Sequence, residues 1–177
     1  MSTHTYLIAL GSNMRVPGIG LPREVLRTAF AALADLGEAL AASPIIDSAP
    51  VGPSQRTYAN AAAVIESEFA PPAMMRALLG IESEFGRERR SQSQGQRWRA
   101  RALDLDIVLW SGGIWASERL SIPHTAFRNR AFVLGPAAAI AGDWRDPISS
   151  FSLAQLNARL TRPRGLLRGA LRSASTN

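Results

Sequence analysis

An α+β fold is predicted, built on a ferredoxin-like βαββαβ core: an antiparallel sheet with helices packed on it, plus an extra strand and C-terminal helices. Two observations predict it. Four segments carry strand-like alternation or short unbroken apolar runs, and two carry apolar residues at helical spacing. Along the chain these follow as strand, helix, strand, strand, helix, strand. A third observation bounds the size: 177 residues, 46% of them apolar, suit one domain that buries a core without staples.

Residues 5–10 form a short apolar strand ended by Gly11-Ser12-Asn13. Residues 21–36 follow as an amphipathic helix, with Leu21, Val25, Ala29, Leu33 and Leu36 on one stripe. A second strand is expected over residues 39–47, then a Pro-, Gly- and polar-rich loop over 48–57. Residues 58–69 make the third strand. Pro71-Pro72 opens the second helix, whose buried stripe is Met74, Met75, Leu78, Leu79 and Phe85. A long loop rich in arginine and glutamine spans 86–101, and residues 102–110 form the fourth strand. Ser111-Gly112-Gly113 turns the chain into an extra strand over 114–119. A helical stretch interrupted by Pro136 and a short helix near 152–160 complete a single domain, 1–161. Residues 162–177 read as a flexible basic tail.

Composition excludes whole classes of chemistry. The chain has no cysteine, so disulfides, thiolate metal sites and a cysteine nucleophile are ruled out. All 20 basic residues are arginine, which removes Schiff-base and P-loop lysine chemistry. The net charge of +6 is local: residues 86–101 and 159–172 contribute +5 each, and the remainder carries −4. That pattern suits a small anion better than a nucleic-acid face, and no partner nucleic acid or membrane is expected. No apolar run reaches the length of a membrane span, and a cytoplasmic monomer is expected.

The segment 103–108 reads Leu-Asp-Leu-Asp-Ile-Val. On a strand Leu103, Leu105 and Ile107 face the core, while Asp104 and Asp106 share the other face, outside it. Their carboxylates then lie about 6 to 7 Å apart along the strand, close enough to share hard divalent cations. An arginine-rich segment beside them suits a substrate carrying phosphates and Mg²⁺. An amphipathic strand with a solvated acidic face is the plainer alternative.

Five separated segments occur in a telling order. They are Ala9-Leu10-Gly11-Ser12-Asn13; Pro50-Val51-Gly52-Pro53 with Tyr58-Ala59-Asn60-Ala61-Ala62; Glu82 with Gly86-Arg87; Arg97-Trp98 through Asp104-Leu105-Asp106-Ile107; and Ile122-Pro123-His124 with Arg130-Ala131-Phe132. Together, from Tyr6 to about Pro147, they resemble the 6-hydroxymethyl-7,8-dihydropterin pyrophosphokinase family of folate biosynthesis. The resemblance implies pyrophosphate transfer from ATP to a reduced pterin with release of AMP.

It further implies that Asp104 and Asp106 ligate two Mg²⁺ ions, and that Arg87 and Arg101 are catalytic-loop arginines on the phosphates. Tyr58 and Phe132 would sandwich the pterin, though alone they read as core aromatics. Asn60 would meet the ring edge, with Ser48, Pro50, Val51 and Gly52 as loop wall and Trp98 as part of a closing lid. Arg89, Ile107, Arg119, Ser121, His124 and Arg130 would contact ATP. Glu82 resembles a nucleotide-binding glutamate or is a surface acid, and His124 is a nucleotide contact or a structural hydrogen-bonder.

The family's usual Arg-Trp-Gly-Pro-Arg stands here as Arg97-Trp98-Arg99-Ala100-Arg101, within a longer loop. A nucleotide- or pterin-binding homologue with reduced or altered catalysis is therefore the second reading. An RNA-binding ferredoxin-like module is disfavoured, because Asp104 and Asp106 would repel a polyanion.

Overall fold

His4–Ser12 (β1) and Tyr58–Ser67 (β4) pair antiparallel along the whole of β1, from His4 opposite Ser67 to Ser12 opposite Ala59. The computed structural model describes residues 3–49, 57–86 and 102–162. On its other side β1 pairs with Asp104–Trp110 (β5), again antiparallel. Glu38–Ala42 (β2) and Ile46–Ser48 (β3) both pair with β4. The resulting order, β2-β4-β1-β5 with β3 beside the start of β4, is that of a ferredoxin-like core.

Pro22–Leu33 (α1) and Pro71–Glu84 (α2) cover one face of this sheet. Each starts with proline, whose missing N–H would have no partner in a first turn. Glu24 adds a cap to α1 by accepting the Leu21 N–H at 3.1 Å. Leu21 therefore precedes the helix, and at 61% exposed it is not part of the stripe; Leu26 takes its place in the core. Gly86, at φ 104, ends α2 in a conformation that side-chained residues rarely adopt. Between sheet and helices lie Tyr6, Ile8, Leu10, Leu105 and Ile107 with Leu26, Leu33, Met74 and Leu78.

The opposite face is also covered, contrary to the expectation that Asp104 and Asp106 stand outside any core. Ala131–Ala141 (α3) and Leu153–Thr161 (α4) pack there, burying Leu7, Ala9, Ala62, Val64, Val108 and Leu109 under Leu134 and Leu153. The two aspartates occupy the open end of this second core. Pro136 does not interrupt α3, which runs through it. It removes only the bond that residue 136 would donate to the carbonyl of residue 132. Burial of Val133, Leu134, Pro136 and Ala137 offsets that loss. At α4, Ser152 Oγ accepts the Gln155 N–H while the Gln155 side chain accepts the Ser152 N–H, a reciprocal cap.

Three further differences have local causes. The expected strand over 39–47 is split into β2 and β3 because Pro44 cannot donate to a ladder. Ser43 bridges the break: its N–H donates to Ala62 O, and its hydroxyl accepts the Ala62 N–H, both at 2.9 Å. The extra strand shrinks to Trp115–Ala116 (β6), which pairs with Ser121–Ile122 (β7) as a small hairpin. Finally, β5 carries a bulge: Ile107 faces Ile8, but Leu109 rather than Val108 faces Leu7. Among the described residues no helix is long and apolar enough to cross a membrane. The expected tail, beyond Arg162, lies outside the described residues.

The segment linking β7 to α3 is irregular, and one ion pair anchors it. Arg128, in the 3-10 turn Phe127–Asn129, grips Asp146 with Nε at 2.8 Å and Nη2 at 2.6 Å. Asp146 is 0% exposed and also accepts the N–H groups of Ile148 and Ser149 and the Ser149 hydroxyl. Burial pushes its carboxyl up, but the bonds from Arg128, Ser149 and Ile148 outweigh this and hold it at about 2. A depressed carboxyl stabilises the fold above its ordinary value of 3.8 and loses that contribution as pH falls toward 2. Asp146→Asn is therefore expected to cost about 2 kcal/mol at neutral pH. In urea unfolding, the gap between wild type and variant should close as pH falls from about 4 to about 2.

Candidate functional site

The register of β1 with its two neighbours assembles the site floor. Gly11 lies opposite Asp104 on one side and opposite Asn60 on the other. Residues directly opposed in a sheet share a face, so Asp104, Gly11 and Asn60 form one row. The next row inward holds Asp106, Ala9 and Ala62. A Cβ at Gly11 would lie 3.7 Å from Asn60 Oδ1, so glycine keeps the floor between acid and amide low. Asp104 and Asp106 are half-buried, at the end of the face that α3 and α4 leave open.

Asn60 is 3% exposed, and its orientation is set. Its Nδ2 donates to Ser48 Oγ at 2.8 Å, across the β3–β4 ladder. That bond turns Oδ1 toward Gly11 and leaves the amide an acceptor and a second N–H. Tyr58 lies two residues before Asn60, on the same face, opposite Ser48. Phe132 sits in the first turn of α3, which packs over β4 and touches β3. Both rings are half-buried and on the same side of the sheet, and the Arg130 guanidinium lies 5.8 Å from the centre of the Phe132 ring.

A pocket of about 300 Å³ opens beside β5 and brings together Asp106, Ile107, Arg119, Ser121 and His124. Asp106 thus belongs both to the sheet face and to this pocket. Met75, Leu120, Ser117, Glu118 and Thr125 complete the lining and were not read from the sequence as site residues. Met75 falls within the apolar stripe of α2, where nothing distinguishes a pocket wall from core. The backbone of β5 is held at this edge: the His124 N–H donates to Val108 O at 3.1 Å.

His124 follows the cis Ile122–Pro123 bond. Its Nδ1 accepts the Ala126 N–H at 3.3 Å, which leaves the proton of the neutral ring on Nε2. Nε2 faces Asp106 Oδ2 at 3.8 Å. Glu82 is not a surface acid: it is 7% exposed, and its Oε1 accepts the Leu105 N–H at 2.8 Å. Its place on α2 was legible, since it stands four residues after Leu78 on the buried stripe.

Among the described residues no group of three or more histidine, cysteine or acidic side chains could enclose a metal. Asp104 and Asp106 are hard oxygen donors that stand two residues apart on one face. They suit Mg²⁺, which takes one or two carboxylates and completes its shell with phosphate and water. Arg87, Arg89, Trp98, Arg101, Pro50, Val51 and Gly52 lie outside the described residues.

A protein named 2-amino-4-hydroxy-6-hydroxymethyldihydropteridine pyrophosphokinase from Haemophilus influenzae is 41% identical over 142 residues, covering 78% of this chain and 82% of its own. One of the same name from Pseudomonas aeruginosa is 39% identical over 143 residues, covering 79% and 82%. Among solved structures, Plasmodium falciparum HPPK-DHPS matches with a TM-score of 0.68 at 12% identity, over 89% of this chain and 44% of that one. At that identity the likeness shows the fold alone, and this chain spans less than half of the longer one. The family model for 7,8-dihydro-6-hydroxymethylpterin-pyrophosphokinase matches residues 7–142, and the chain belongs to that family of ATP-dependent pyrophosphokinases.

Proposed function

We propose that the chain transfers pyrophosphate from ATP to 6-hydroxymethyl-7,8-dihydropterin in folate biosynthesis, giving the pterin diphosphate and AMP. The observation that carries this reading is the row Asp104–Gly11–Asn60, with Asp106 in the next row, which sets an amide and a carboxylate pair on one floor beside a pocket of about 300 Å³. The hydroxymethyl oxygen forms a bond to the β-phosphorus. The bond from that phosphorus to the α,β-bridging oxygen breaks, and AMP leaves with the oxygen. The main demand on the protein is positioning and charge stabilisation.

Asn60, oriented by Ser48, offers acceptor and donor to the pyrimidinone edge of the pterin. Tyr58 and Phe132 flank the ring, and Pro50, Val51, Gly52 and Trp98 supply the rest of the slot. Asp104 orients the hydroxyl and accepts its proton. Arg119, Ser121, His124 and Arg130 meet the nucleotide, with the backbone of Ile107 at the base and Arg89 further out. Arg87 and Arg101 pair with phosphate oxygens through their guanidinium forks. Asp104 and Asp106 would hold two Mg²⁺ ions, which when bound neutralise phosphate charge and order the triphosphate. In this reading the enzyme is a cytoplasmic monomer acting on small molecules. Beyond the departure at Arg99-Ala100, no observation favours a binding homologue with reduced catalysis.

Two measurements test it. Asp104→Ala and Asp106→Ala should each abolish AMP release from ATP plus the pterin while leaving the thermal melt nearly unchanged, since both side chains stand at an open end. Near wild-type turnover in either variant at saturating Mg²⁺ would remove the two-metal reading. Asn60→Ala should weaken pterin binding by roughly 1–3 kcal/mol. Calorimetry with a non-hydrolysable ATP analogue should show little change, and an equal loss for both ligands would place the pterin elsewhere.

A further inference from the structure

Two acids are buried among the described residues. They are Asp146, gripped by Arg128, and Glu82, on α2 beneath β5. Its Oε1 accepts the N–H of Leu105, the residue between Asp104 and Asp106. Among the described residues β5 pairs only with β1, and no other described strand holds its outer side in register. Among the described residues, Glu82 on the Leu105 N–H and the His124 N–H on the Val108 carbonyl grip it there. They bracket Ile107, which lines the pocket.

Resting on the function proposed above, we infer that Glu82 is a positioning residue for the carboxylate pair, acting on metal and nucleotide through the backbone of Leu105. Asp104 and Asp106 are the two chain neighbours of that residue, so a shift of its peptide moves both carboxylates at once. At 2.8 Å the bond lies on the short side of the usual range for an N–H donor. Its carrier is well anchored, because Leu78 and Ile81 on the same face of α2 are buried in the core. The bond also takes up an edge N–H that would otherwise invite water or another strand.

The test uses the full chain, Mn²⁺ with a non-hydrolysable ATP analogue, and amide exchange. Glu82→Met keeps the volume and removes the acceptor, and Glu82→Gln keeps an acceptor without the charge. Mn²⁺ affinity in the presence of the analogue should fall about tenfold or more in the Met variant. The Gln variant should recover most of it. The Leu105 amide should exchange faster in the Met variant while Ile65, in the sheet interior, is unchanged. Wild-type Mn²⁺ affinity in the Met variant, or faster exchange across the whole sheet, overturns the inference. Independently of any variant, the wild-type Leu105 amide should be protected without ligand, and exchange at the rate of a free edge amide overturns it too. Failure of the wild type itself to bind Mn²⁺ and release AMP is a separate result, and it overturns the parent reading as well.

Discussion

Pairing of β1 on both sides is the constraint from which the rest follows. It is one of the two inner strands of the long sheet path, and its register decides which residue of β4 meets which residue of β5 across it. A slip of one residue against either neighbour would turn Asn60 or Asp104 to the opposite face. Such a slip is opposed from both sides, because β1 buries Tyr6, Ile8 and Leu10 in one core and Leu7 and Ala9 in the other. The amide and the acid are thus kept on one row by side chains that touch neither.

The irregular stretch from His124 to Arg130 needs a different kind of support, since it has no ladder. Phe127 is fully buried in the second core, Arg128 is locked on Asp146, and the His124 N–H is bound to β5. Three tethers of different chemistry fix a loop from which His124 and Thr125 face the pocket. The absence of lysine is consistent with this economy. Guanidinium groups serve as anchor at Arg128 and stack on rings at Phe127, Phe132 and Phe151.

Much of the core topology was legible, because period-2 and period-3.6 patterns are written plainly in β5, α1 and α2. The carboxylate pair was legible for the same reason. The second core was missed although its signal was present: Ala61 to Ile65 and Tyr6 to Leu10 are unbroken apolar runs, the mark of strands covered on both faces. α3 was obscured by Pro136, and its uniformly apolar surface shows no stripe to read. The pocket beside β5 was visible only through resemblance, since Arg119, Ser121 and His124 come from a hairpin and a loop without periodicity. The split of β2 from β3 turns on a single proline, and the bond between Ser48 and Asn60 depends on a ladder that spacing does not reveal.

The bulge in β5 carries a consequence for how this strand can change. Before it, alternation gives Asp104 and Asp106 to the cleft; across it, Val108 and Leu109 both turn to the second core on that same face, and Trp110 packs against the first core. The extra residue resets the phase of the strand. Chemistry and packing are written on the same seven residues, but in two independent frames. The upstream half can be altered for a different ligand without re-addressing the downstream half, whose orientation is set by the insertion rather than by counting from the aspartates. One surplus residue makes a single strand evolvable in two pieces.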